Sequence, residues 1–121
     1  MHLSTQTKEH YTIIAIQGRL DSITADDFQA SLGMLIERGQ TFLIVDCKSL
    51  EFLSSAGMRS ILICAQAVKQ RSGRLIFSGF SEQTVEVLEF SGIGKYLESY
   101  SQLEQAEQAM YTTRAPPAST F

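Results

Sequence analysis

The sequence predicts an α/β domain: a mostly parallel sheet with an antiparallel strand at one edge and about four helices packed against it. Three observations predict it. Short runs rich in β-branched residues alternate with longer stretches of helical spacing. The runs at 41–47 and 74–78 have continuous apolar centres, as strands covered on both faces do. Serines and glycines stand at the joins, where helices need caps and stops.

The elements follow in order. Residues 11–17, Tyr-Thr-Ile-Ile-Ala-Ile-Gln, read as a strand, and residues 2–8 alternate weakly enough to pair with it as an edge hairpin. Residues 18–22, Gly-Arg-Leu-Asp-Ser, read as a loop. Thr24 is the expected cap of the first helix, with Asp26 and Asp27 in its first turn, where carboxylates offset the helix dipole. Ala25, Phe28, Leu32, Leu35 and Ile36 recur at helical spacing, and Gly39 stops the helix. After the strand at 41–47, Met58, Ile61, Leu62, Ala65 and Val68 mark the inner face of a second helix that ends by Gly73. The strand at 74–78 leads to a third helix, capped by Ser81 and bearing Val85, Leu88 and Phe90. Gly92 and Gly94 end it, a short strand falls near 97–100, and Leu103, Ala106 and Met110 give a fourth helix.

A chain of 121 residues suits one domain able to bury roughly two-thirds of its unfolded surface. Residues 1–111 form that domain, and 112–121, which hold both prolines among Ser, Thr and Ala, are expected to be a disordered tail. A net charge of −3 without an arginine stripe argues against nucleic acid as the partner. No apolar run approaches the ~18 residues of a membrane span, and residues 1–10 lack a signal-peptide core, so a cytoplasmic protein with no direct membrane insertion is expected. Cys47 and Cys64 fit neither a metal spacing nor a disulfide framework and read as buried thiols. No glycine-rich phosphate loop occurs, and no cofactor is implied.

The chemistry concentrates at 52–59, Phe-Leu-Ser-Ser-Ala-Gly-Met-Arg. Ser54 and Ser55 stand where a strand gives way to a helix N-terminus, a place of free N–H donors and partial positive charge. A serine there can be a helix cap or the acceptor of a phosphate. A hydrolase elbow needs glycine two residues before the serine, where Leu53 stands, and the possible bases are His2 and His10 in the N-terminal segment. An enzyme is therefore not expected. A phospho-aspartate receiver would use Asp46, but the first strand–helix loop offers Asp21 without the adjacent acidic pair that Mg²⁺ would want.

The chain resembles STAS domains, the fold of anti-sigma factor antagonists. The likeness rests on Gly18-Arg19-Leu20-Asp21, on Phe42-Leu43-Ile44-Val45-Asp46-Cys47 with Leu50 and Phe52, on the loop 53–58, on Leu75-Ile76-Phe77 and on Ile93, over residues 8–111. The resemblance implies a non-enzymatic binding switch. The dephosphorylated form binds an anti-sigma factor that is also a serine/threonine kinase, phosphorylation near the start of the second helix releases it, and a PP2C-type phosphatase resets the cycle. The commonest loop of the family places its acceptor directly before glycine; here that position is Ala56, so Ser55 is the expected acceptor and Ser54 the second choice. The implied partner surface is Asp21, Ser54, Ser55, Ala56, Gly57, Met58 and Arg59, although helical spacing turns Met58 inward. The alternative is a STAS scaffold subunit, never phosphorylated, that binds a membrane transporter or its ATPase.

Overall fold

A computed structural model describes residues 1–112. Strand β1 (His2–Thr7) pairs antiparallel with β2 (Thr12–Leu20), and β3 (Phe42–Leu53), β4 (Arg74–Ser78) and β5 (Glu98–Tyr100) follow in parallel, in the spatial order β1-β2-β3-β4-β5. Helices α1 (Ala25–Glu37), α2 (Ser55–Gln70), α3 (Glu82–Ser91) and α4 (Leu103–Met110) connect or follow the strands, with a short 3-10 turn at Gly94–Tyr96. The predicted element order and the edge pairing are both observed.

The sheet separates two apolar layers. On one face Ile14, Ile16, Leu43, Val45, Leu75 and Phe77 pack against Phe28, Leu32 and Ile36 of α1, Met58, Ile61, Cys64 and Val68 of α2, and Leu88 of α3. On the other, Tyr11, Ile13, Ile44 and Ile76 meet Ala106 and Ala109 of α4. Alternate residues of each central strand thus serve opposite layers, which explains their continuous apolar sequence. Arg74 ties α4 down: its guanidinium meets Glu98 at 2.6 and 2.8 Å and donates to the Ala109 carbonyl at 2.7 Å. Both cysteines are buried and unbridged.

Four details differ from the sequence reading. Residues 18–20 continue β2 instead of forming a loop, because register shifts at Ala15/Gln17 and at Gly18/Arg19, with Gly18 at φ +100°, let the strand bend and still bury Leu20. Strand β3 runs on past Cys47 to Leu53, with Leu50 and Leu53 buried. Thr24 makes no side-chain cap of α1; its hydroxyl donates to the Arg19 carbonyl. Phe90 does not join the core but is 96% exposed, since the inner face of α3 is set by Thr84 and Leu88. Of the expected tail, Thr112 donates to Ala109 through its amide and hydroxyl, and 113–121 lie outside the described residues.

Candidate functional site

The long outer ends of β2 and β3 build the site. They lie side by side, Leu20 against Leu53, so the segments leaving them must run together. The Ser54 amide donates to the Leu20 carbonyl at 3.0 Å, fixing the entry to α2 beside Asp21. Gly57 then packs so closely on the end of β2 that a Cβ there would collide with the Leu20 carbonyl oxygen and sit 2.9 Å from Leu53 Cδ1. The glycine is required by approach, and it locks the first turn of α2 onto the sheet.

The two serines take different roles. Ser54 is the N-cap: its backbone is extended, and its Oγ accepts from the Gly57 amide at 3.1 Å. Ser55, the first helical residue, is exposed, and its hydroxyl has no partner among the described residues. A third hydroxyl, Ser60 Oγ, is buried and donates to the Gly57 carbonyl at 2.7 Å. The first turns of α1, α3 and α4 each carry an acidic residue, but that of α2 carries none. The positive end of α2 thus has the Ser54 cap but no negative charge within its own first turn.

A groove of about 560 Å³ opens between α2 and α1. Ser55, Ala56, Arg59 and Ser60 line one wall; Ser22, Ala25, Asp26 and Gln29 line the other. Arg59 is exposed and forms no ion pair among the described residues. Asp21, next to the lining residue Ser22 in the chain, is the hub of a turn. Its Oδ1 accepts from the amides of Ile23 at 3.0 Å and Thr24 at 3.2 Å, and Arg19 Nε lies 3.5 Å from its Oδ2. These bonds, that from Ile23 foremost, hold its carboxyl below the usual aspartate range, so it is charged at neutral pH. Arg19 in turn stacks on Phe52, its Cζ 4.2 Å from the ring centre.

The expected site residues are thus brought together, though not all at the surface. Ser55, Ala56 and Arg59 line the groove, and Ser54 and Asp21, the chain neighbours of the lining residues Ser55 and Ser22, are half-buried. Gly57 and Met58 are buried and act by shape from beneath; Met58 belongs to the core and offers no side chain to a partner. Sequence reasoning missed the α1 wall as part of the site, although Ser22, Asp26 and Gln29 recur at helical spacing along one flank. Neither His2 nor His10 lines the groove.

A parallel sheet with one antiparallel edge strand, and a tightly packed Ser-Ser-Ala-Gly turn opening α2, can be set beside known proteins. BtrV of Bordetella bronchiseptica, described as a candidate anti-sigma factor antagonist, is 29% identical over 92 residues, spanning 76% of this chain and 79% of its own. The Thermotoga maritima protein tm1081, described in the same terms, superposes with a TM-score of 0.85 at 13% identity, over 91% of this chain and 95% of its own. The phosphorylated form of the Bacillus cell fate determinant SpoIIAA superposes with a TM-score of 0.68 at 22% identity, over 89% of this chain and 99% of its own. The STAS domain profile matches residues 2–106. With nearly its whole described length matched and the topology in agreement, the chain belongs to the STAS domain family.

Proposed function

We propose that the protein is an anti-sigma factor antagonist switched by phosphorylation at Ser55. Unmodified, it binds an anti-sigma factor that is also a serine/threonine kinase. Modified, it lets go, and a PP2C-type phosphatase restores it. The cycle runs in the cytoplasm and needs no catalytic group on this chain. The relationship to BtrV supports the antagonist role, and the phosphorylated SpoIIAA structure supports the tolerance of this fold for the modification.

The observation that carries the choice of Ser55 is the division of labour between the two serines. Ser54 Oγ is engaged as the cap, whereas Ser55 Oγ is exposed and uncommitted. A phosphate on Ser55 brings about −1.5 to −2 charges to a helix start that has no acidic residue in its first turn, so the fold can hold it. A partner surface shaped for a neutral hydroxyl meets repulsion instead. A penalty of about 3–4 kcal/mol weakens binding several hundredfold, enough for a switch.

The test is binding to each anti-sigma kinase encoded in the organism of origin, purified and titrated with the parent and two variants. Ser55→Asp weakens binding at least tenfold, about 1.4 kcal/mol, and Ser55→Ala binds like the parent but cannot be released by ATP. If Ser55→Asp binds like the parent, the switch does not lie at this residue.

A further inference from the structure

The outer face of α3 carries an apolar stripe that the described residues leave uncovered. Thr84 and Leu88 are buried and Val85 half-buried, which accounts for the inner face. Val87 and Phe90, one helical turn apart on the outer side, are 41% and 96% exposed. Tyr96, in the 3-10 turn that follows, is also exposed. Glu82, Glu86 and Glu89 run along one flank of the stripe, and none of them has an ion-pair partner among the described residues; Lys95 Nζ lies 5.3 Å from the Tyr96 ring centre at the far end. An almost wholly exposed phenylalanine beside an acidic flank contributes little to the stability of this chain, and aromatic rings in such positions are typical anchors of protein interfaces.

Its position ties it to the switch. The end of α3 abuts the first turn of α2, with Ser91 Oγ 3.6 Å from Met58 Sδ. Phe90 precedes Ser91 in the chain, and Met58 lies one turn from Ser55. A body docked over Ser55 can therefore reach the end of α3. The charges select the kind of body. A second copy of this chain, placed face to face by a twofold axis, would set Glu82, Glu86 and Glu89 against themselves, which is unfavourable. A partner with Lys or Arg along one side of an apolar pocket is matched in both respects.

We propose that α3 is a second contact for the partner that reads Ser55, with Phe90 as its anchor, and that this partner presents an apolar pocket bordered on one side by basic side chains. The proposal rests on the reading of Ser55 as partner-facing. It divides recognition in two: the start of α2 reports phosphorylation state, and α3 supplies affinity that does not depend on that state.

The test uses the full chain and the purified anti-sigma kinases of the same organism. Phe90→Ser and the double variant Glu86→Lys, Glu89→Lys are titrated beside Ser55→Asp, with thermal melts and sedimentation of each protein alone. Phe90→Ser is expected to melt with the parent and bind at least tenfold more weakly. The charge variant is expected to bind more weakly and to lose most of the parent's salt dependence. If both α3 variants bind like the parent while Ser55→Asp loses binding, the α3 contact is overturned and the switch stands. If Ser55→Asp also binds like the parent, or no kinase binds the parent, the Ser55 reading falls and takes the α3 contact with it. A parent that sediments as a dimer, made monomeric by Phe90→Ser, would assign the stripe to self-association and overturn the proposal.

Discussion

Ser54 and Ser55 are neighbours with opposite fates, and the difference lies in which oxygen the helix uses. Ser54 Oγ satisfies the Gly57 amide, so Ser54→Ala removes a cap and is expected to cost about 1 kcal/mol in urea unfolding. Ser55 Oγ has no partner among the described residues, so Ser55→Ala is expected to change stability by no more than about 0.5 kcal/mol. Equal losses for the two variants would contradict the assignment of the cap. Gly57→Ala drives a methyl into the Leu20 carbonyl and is expected to destabilise by about 2 kcal/mol. The serine loop was legible in the sequence because its residues are contiguous and its glycine is constrained. That Ser54 is the cap was not, since either serine could have filled that role. Phe90 shows the converse difficulty. Its apolar character suggested the core, but it lies about 200° around the helix from Leu88, and only the register of α3 against the sheet decides which side is inward.

At the scale of elements, α4 is held by part-buried polar contacts from Arg74 and Tyr11 as well as by its small apolar face. Arg74 and Glu98 side chains are 16% and 7% exposed, and Arg74 also grips the Ala109 carbonyl at the end of α4. Glu98→Gln leaves the guanidinium with a weaker partner and is expected to destabilise by about 2–3 kcal/mol, at or below the low end for broken buried pairs because the site keeps some solvent. Faster amide exchange along α4 than along α2 in this variant would locate the effect. The strands show where periodicity fails as a guide. Gly18 looks like a stop and Lys48-Ser49 like a strand end, yet both β2 and β3 continue past them. Bulges shift the alternation of faces there, so a reading by period two loses the pattern just where the site begins. The α1 wall of the groove was hidden for a related reason: Ser22, Asp26 and Gln29 meet α2 only because β2 and β3 are adjacent and parallel.

For the whole molecule, the order of elements, the edge strand and the family could be read from the sequence, because each element carries its own local signal. The pairing of distant walls could not. The fold as a unit also makes an alkaline prediction. Burial pushes the Cys64 thiol up from 9.0 to about 12 and moves Cys47 higher still. Burial, with a hydrogen bond to Glu98, takes Tyr100 from 10.0 to about 12, and burial with a bond to Glu107 raises Tyr11 further. Their unfolded forms lose protons first as pH rises, so the unfolded state binds fewer protons than the folded one. Stability is therefore expected to be complete below about pH 8 and to fall progressively from about pH 9 to 12. Cys64→Ala should remove part of that slope. A flat profile would mean that these groups reach solvent in the folded state.

The proposed switch belongs to the whole molecule, since it requires a single phosphate to change binding without unfolding the domain. Phosphate mapping after incubation of the full chain with ATP and each purified anti-sigma kinase of the same organism decides the matter. One phosphate on Ser55, in a protein that keeps its parent fold by circular dichroism and no longer binds that kinase, is the expected result. A phosphate on another residue, or a protein that binds the kinase and remains unmodified, would contradict a Ser55 switch; unmodified binding would point instead to a permanent scaffold.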